Sequence, residues 1–297
     1  MVNTLDLTAY LDRVNWHGPT ERTYATLAGL LDAHIAHIPF ENFDVLLGRP
    51  VRLDLEGLQS KLVKCRRGGY CFEHATLFAA VLERLGFEPV RHAARVTVFQ
   101  PLSEAARTHM FLSVELDGAR FVIDPGFGPF GSNLPVPLDG VSMPVDRSTH
   151  RMAREGDLWV MHATRDGVEI PAWVSTLEIQ YPVDFEMANH FTATHPTSRF
   201  VNGILASAVT GEGRVNVMNR DVTVLRRGTV EKSILPDRSA LRLLLVKHLA
   251  LISRKQRLCE CRAYRTGDEP AFASGLCMWR TNWLGIKPLS LTVVPGT

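Results

Sequence analysis

The sequence predicts a mixed α+β fold in three packed regions. Three observations point there: helical apolar periodicity up to about residue 88, short alternating runs broken by Gly, Pro and Asp between residues 95 and 200, and mixed patterning beyond Val201. A chain of 297 residues exceeds what one hydrophobic core usually organises, so several packed regions are expected. Their boundaries are placed at residues 1–88, 89–205 and 206–297.

In the first region, apolar residues recur with helical spacing over residues 5–14 and 23–38, followed by a turn at Pro39. A further helix begins near residue 72, where Ala75, Phe78, Ala79, Leu82 and Leu85 repeat at intervals of three and four. Gly86 falls where a left-handed C-terminal cap belongs. In the second region, residues 95–99, 109–116, 120–124, 158–163 and 178–181 read as strands, and their short, turn-separated pattern suggests a small barrel. The third region carries a strand at 222–225, then Pro236-Asp237 opening an amphipathic helix of about residues 239–253.

Composition bounds the function without naming it. Hydrophobic residues at 45% and charged residues at 22% fit a globular enzyme rather than a disordered or fibrous chain. A net charge of +2, from 33 basic and 31 acidic residues, provides no field to argue for nucleic acid as a partner. Residues 1–16 lack the basic-then-apolar plan of a signal peptide. The longest apolar candidate, residues 241–252, is interrupted by Arg242, Lys247 and His248, so no membrane span is expected. The five cysteines, Cys65, Cys71, Cys259, Cys261 and Cys277, are odd in number and irregularly spaced; with no export signal this argues for reduced thiols and a cytoplasmic location. Nothing in the sequence sets the oligomeric state, monomer or homo-oligomer.

Cys71 is the candidate nucleophile. A thiol carries an acyl group only as its thiolate, which a helix N-terminus and a neighbouring imidazolium both favour. Cys71 sits at such a helix edge, after Arg67-Gly68-Gly69-Tyr70, whose paired glycines let the backbone turn sharply. On its own a cysteine is more often a buried small hydrophobe. Support comes from a hairpin downstream, where Asp117-Gly118 has the composition of a two-residue type I′ turn. That turn sets Leu116 across from Ala119, Val114 from Phe121 and Leu112 from Ile123, which gives one uniformly apolar face. The other face leaves His109 diagonal to Asp124, at roughly 7–8 Å between backbones, a gap an imidazole bridges. A slip of one residue would send His109 and Asp124 to opposite faces, so the apolar register and the Cys71–His109–Asp124 triad support each other. In the triad Asp124 holds one ring nitrogen of His109 and the other faces the Cys71 sulfur.

These residues resemble the arylamine N-acetyltransferase family. Arg67-Gly68-Gly69-Tyr70-Cys71-Phe72-Glu73 is similar to its nucleophile motif, and Ile38-Pro39-Phe40-Glu41-Asn42 to its upstream motif. Thr108-His109, Val122-Ile123-Asp124-Pro125-Gly126-Phe127-Gly128, Asp184-Phe185-Glu186-Met187-Ala188-Asn189 and Thr194 to Phe200 resemble further segments in the family's order. The resemblance implies an N-terminal helical bundle, a central β-barrel and a C-terminal α/β lid, with a cysteine-protease-like core. It implies a ping-pong transfer of acetyl from acetyl-coenzyme A through a Cys71 thioester to an arylamine, arylhydroxylamine or hydrazine. No permanently bound cofactor and no metal are implied. By resemblance Thr108, Gly126, Phe127 and Gly128 meet the coenzyme, Phe40, Val96 and Phe200 line the acceptor pocket, and Glu41 pairs with Arg67 to hold the catalytic loop. Arg242 and Lys247 are the candidates for the coenzyme phosphates.

Two departures stand out. His74-Ala75 replaces a usual Gln-Asn, and Asp-Pro-Gly replaces a usual Asp-Val-Gly. His74, three residues from Cys71, is either a second base or, more ordinarily, a packing histidine. Two other enzymes share the triad chemistry: an amide synthase that acts on a polyketide or other acyl thioester, and a cysteine hydrolase. A non-enzymatic alternative, a metal site of Cys259-Glu260-Cys261 with Cys277, lacks the usual Cys-x-x-Cys pair.

Overall fold

Helices occupy the first part of the chain, and the first two begin on side-chain caps. Asp6 accepts a hydrogen bond from the amide of Ala9 to open α1 (Leu7–Arg13), and Thr23 accepts from Thr26 to open α2 (Tyr24–His37). A two-residue strand, β1 (Phe40–Glu41), leads to α3 (Phe43–Leu46) and then α4 (Leu55–Leu58), which runs into a π-helical turn over Gln59–Lys64. The helix α5 (Cys71–Arg84) closes this part, and Gly86, with φ of +80°, turns the chain out of it as expected. The computed structural model describes residues 5–247 except 146, 147, 166, 212, 227 and 228, all within one unit, Met1–Glu260; a second unit, Cys261–Thr297, lies outside the described residues.

Eight antiparallel strands follow: β2 (Val90–Val96), β3 (His109–Leu116), β4 (Ala119–Ile123), β5 (Val136–Pro137), β6 (Met143–Val145), β7 (Ser148–Glu155), β8 (Leu158–Arg165) and β9 (Val168–Ser175). They form one sheet in the order β5-β4-β3-β2-β9-β8-β7-β6, curled into a nearly closed barrel in which β5 meets β7. Then come α6 (Pro182–Thr194) and α7 (Arg199–Asn202), followed by β10 (Leu205–Thr210), β11 (Gly213–Met218), β12 (Asp221–Arg226), β13 (Thr229–Ile234) and α8 (Arg238–Lys247). The second sheet has the order β1-β10-β11-β12-β13, so the short β1 belongs to the C-terminal sheet although it lies among the N-terminal helices.

The β3–β4 hairpin joins two cores. Its pairs are Leu112 with Ile123, Val114 with Phe121 and Leu116 with Ala119, and both Asp117 (φ 51°) and Gly118 (φ 79°) take the left-handed backbone a type I′ turn requires. One face sends Met110, Leu112, Val114 and Leu116 against Phe72, Phe78 and Leu82 of α5. The opposite face sends Phe111 and Val122 into the barrel beside Trp173 and Met152. Each fully buried large apolar side chain contributes roughly 1.5–3 kcal/mol, so a register slip would forfeit both sets at once.

Two expectations need correction. Residues 178–181 form no strand; Ile179 makes a single bridge with His92. The reading of a β region up to about residue 200 missed α6, whose start is marked by Pro182 in its first turn and an Asp184 carboxylate that accepts from the Tyr181 amide at 2.8 Å. Val183 and Met187 of that helix stay exposed, so its apolar stripe is weak. Cys71 is a free, buried thiol. The helix expected over residues 239–253 is seen as α8 as far as Lys247, and Cys259, Cys261 and Cys277 lie outside the described residues. Among the described residues no helix is long and apolar enough to cross a membrane, and no cluster of His, Cys, Asp and Glu has the grouping of a metal site.

Candidate active site

Cys71 is the first residue of α5 and is buried. The loop before it is stitched to β1 on both sides: Gly69 N–H donates to Pro39 O (3.2 Å), and Glu41 N–H donates to Gly69 O (2.7 Å). This approach is why Gly68 must be glycine, since a Cβ there would stand 2.1 Å from the Pro39 oxygen. Below the loop lies a buried ion cluster. Lys61 Nζ reaches Glu73 Oε1 at 2.7 Å and Asp44 Oδ2 at 2.8 Å, while Arg67 pairs with Asp44 (2.7 Å) and Glu41 (2.9 Å). The other Glu73 oxygen accepts from the Tyr70 amide at 3.1 Å, which caps α5 one residue before the thiol.

Burial by itself would discharge Lys61, but Glu73, Glu41 and Asp44 outweigh it and hold the ammonium charged above its ordinary range. Burial likewise opposes Asp44, whose carboxyl is nevertheless held well below the usual carboxylate range by Lys61 and Arg67. Lys61→Met is therefore expected to destabilise the chain by about 3–5 kcal/mol, because the buried Glu73 loses its counter-ion and Asp44 keeps only its arginine partners. A urea melt checks this, and a midpoint within error of the parent would contradict it.

His109 opens β3 and Asp124 follows directly on β4, which brings them to the same end of the hairpin. His109 Nε2 and Asp124 Oδ2 are 2.7 Å apart in a buried contact, and the Cys71 side chain is a further hydrogen-bond partner of the ring. Burial opposes charge on the ring, yet the carboxylate of Asp124 and then the sulfur of Cys71 push its pKa up to about 10. Asp124 is itself held: Trp173 Nε1–H donates to Oδ2 at 3.1 Å and the Gly126 amide approaches Oδ1 at 3.4 Å. Gly126 is packed so closely that a Cβ would lie 2.7 Å from Cys71 Cα.

The remaining sequence-derived residues gather around this centre. Thr108 O accepts from Cys71 Sγ at 3.6 Å, and Thr108 also lines a cavity of about 290 Å³ with Arg107, Phe185, Ala188 and Phe191. Phe127 lies 4.8 Å from the His109 ring, and Gly128, with φ of +64°, packs under the ring of Phe40. Phe40 and Phe200 face each other with centroids 6.3 Å apart, whereas Val96 stands on β2 with Trp173 as its cross-strand neighbour. The ion pair of Glu41 with Arg67 is present. His74 points away from the role of second base: both ring nitrogens are engaged in buried hydrogen bonds.

Sequence reasoning missed Trp173, Lys61 and Asp44. A lysine in a polar helical turn and a tryptophan in an alternating strand carry no local mark of function. Asn42 was also missed as an anchor, although its side chain donates to Phe200 O (2.8 Å) and Gly203 O (2.7 Å) and accepts from the Leu205 amide (2.9 Å).

A family model described as N-acetyltransferase matches residues 23–255. An arylamine N-acetyltransferase of Mycobacterium tuberculosis is 38% identical over 243 residues, covering 80% of this chain and 86% of that relative. One from Escherichia coli is 36% identical over 240 residues, covering 79% and 85%. The solved structure of Mycobacterium marinum arylamine N-acetyltransferase in complex with CoA superposes with a TM-score of 0.78 at 36% identity, over 84% of this chain and 96% of that one. With a family model matched over most of its length and relatives of more than 30% identity covered to more than two thirds, the chain belongs to the arylamine N-acetyltransferase family.

Proposed function

We propose that the chain transfers acetyl from acetyl-coenzyme A through a thioester on Cys71 to an arylamine, arylhydroxylamine or hydrazine. In the first half-reaction the Cys71 thiolate, paired with the His109 imidazolium, attacks the carbonyl carbon of the coenzyme thioester. The tetrahedral intermediate collapses with loss of the coenzyme thiolate, which takes the proton from His109. In the second, the amine nitrogen attacks the Cys71 thioester, His109 accepts the proton that the nitrogen loses, and the sulfur leaves as thiolate. Asp124 holds Nε2 of the ring throughout, which keeps the other nitrogen toward the sulfur.

The observation that carries this reading is one buried imidazole held between a carboxylate and a free thiol at a helix N-terminus. A relative solved in complex with CoA supports the donor class. Thr108, Gly126, Phe127 and Gly128 are the proposed coenzyme contacts; Phe40, Val96 and Phe200 are the proposed acceptor wall. The C-terminal part of the chain is proposed to act as a lid, within the division at residues 88 and 205.

The test is to mix the purified chain with acetyl-coenzyme A, remove excess donor and weigh the intact protein. A gain of one acetyl mass on the peptide containing Cys71, lost again on adding an arylamine with release of the acetylated amine, is the expected result. Free acetate without acetylated amine would indicate a hydrolase. Labelling only by longer acyl thioesters would indicate an amide synthase.

A further inference from the structure

Beneath the loop that carries the thiol, three polar side chains form a hydrogen-bonded chain that the mechanism does not use and that ends on two backbone carbonyls. Tyr10 of α1 lies with its hydroxyl 2.8 Å from His34 Nδ1 of α2. His34 Nε2 lies 2.8 Å from His74 Nδ1 of α5. His74 Nε2 lies 3.1 Å from Gly69 O and 3.3 Å from Pro39 O. Tyr10, His34 and His74 are almost wholly removed from solvent.

The direction of every proton in this chain follows from its end. Carbonyl oxygens only accept, so His74 Nε2 carries hydrogen and donates to Gly69 and Pro39. A neutral His74 then has a bare Nδ1, which must accept from His34 Nε2–H; His34 Nδ1 is in turn bare and accepts from the Tyr10 hydroxyl. The opposite order would leave the Tyr10 O–H with no acceptor among the described residues, a buried donor without a partner. The two carbonyls at the receiving end are the same ones that stitch the loop to β1 through Gly69 N–H and Glu41 N–H.

We propose that Tyr10, His34 and His74 form a one-directional hydrogen-bond relay that clamps the Gly69 and Pro39 carbonyls together, which makes His74 a positioning residue for Cys71. The inference rests on Cys71 being the nucleophile, as proposed above. It explains the departure at position 74: the side chain there must accept on one edge and donate on the other, which a neutral imidazole does and an amide also does.

The relay requires both imidazoles to be neutral. Protonation of His74 would set two N–H groups against each other across the His34–His74 contact, and protonation of His34 would set its Nδ1–H against the Tyr10 hydroxyl hydrogen. The surroundings favour neutrality. Burial first, then the adjacent His74 and Arg13, holds His34 well below its ordinary range. Burial lowers His74 to about 4, with Lys61 helping, while its two carbonyl acceptors and Glu41 oppose. The pKa of a neutral-when-folded histidine lies below its unfolded value of about 6.5, so its contribution is complete above that pH and lost as pH falls toward 4.

Two measurements test this without acyl transfer. Nitrogen-15 NMR of the histidine rings in the full chain at pH 7 should show His34 and His74 neutral with hydrogen on Nε2; hydrogen on His74 Nδ1 or an imidazolium at either residue overturns the relay. The rate of Cys71 alkylation by iodoacetamide should fall about tenfold in His74→Leu, the cost of losing one positioning bond, and recover to within about twofold in His74→Gln. As pH falls through about 4 the parent should lose alkylation rate more steeply than His74→Gln does. Equal rates in parent and His74→Leu overturn the proposal. A chain that keeps this pattern but forms no acetyl thioester would contradict the proposed reaction instead, and leave the relay standing.

Discussion

Cys71→Ala is expected to abolish acyl transfer while the chain stays folded. Removing a nucleophile that works as a unit with its base costs on the order of 10⁶ in kcat. The structural cost is small by comparison, since the sulfur is one atom at a helix edge; a loss of about 1–2 kcal/mol covers its buried contacts. Steady-state acetylation of an arylamine, with circular dichroism and a urea melt on the same preparation, checks both halves. Turnover near the parent rate would remove Cys71 from the mechanism, whatever its neighbours.

Asp124→Asn is expected to have the next largest effect, a fall of about 10³–10⁴ in kcat. The amide keeps the shape of the side chain but removes the negative charge that raises His109; with its oxygen turned to Nε2–H and Trp173, its NH₂ group is set against the Gly126 amide. Burial then dominates and the ring becomes neutral near pH 7, so the thiolate loses its counter-ion. Alkylation of Cys71 at pH 7 should slow along with turnover; unchanged alkylation would show that the carboxylate does not act through the ring. The same pair sets a stability limit. With His109 raised from about 6.5 in the unfolded chain to about 10 in the folded one, its contribution is complete below pH 6.5 and disappears as pH rises through 10. In Asp124→Asn that alkaline loss should be absent from urea midpoints measured between pH 7 and 10.

The site was legible where the physics is local. Asp117-Gly118 fixes a turn, the turn fixes a register, and the register brings His109 to Asp124 without any knowledge of the rest of the barrel. Glycine punctuation likewise marked the loop before Cys71 and the cap at Gly86. What stayed hidden depends on long-range packing. Trp173 reaches Asp124 only because β9 pairs with β2, and Lys61 reaches Glu73 only because the π-helical turn lies under α5. His74 could be read as a packing histidine or a base because its partners, His34 and Tyr10, come from two other helices. Helix α6 was lost to the strand-like letters before Pro182 and to its own weak stripe.

The pairing of β1 with β10 bears on the order in which the enzyme is made. Phe40 and Glu41 leave the ribosome early, yet Ser207 and Ala206, their strand partners, emerge long after Cys71, His109 and Asp124 have been synthesised. A nascent chain halted before Leu205 would hold all three reactive side chains and still lack the ladder that anchors the nucleophile loop from behind. Acquisition of activity during synthesis should therefore lag behind barrel formation, and ribosome-stalled fragments ending near residue 200 should be inert toward acyl donors.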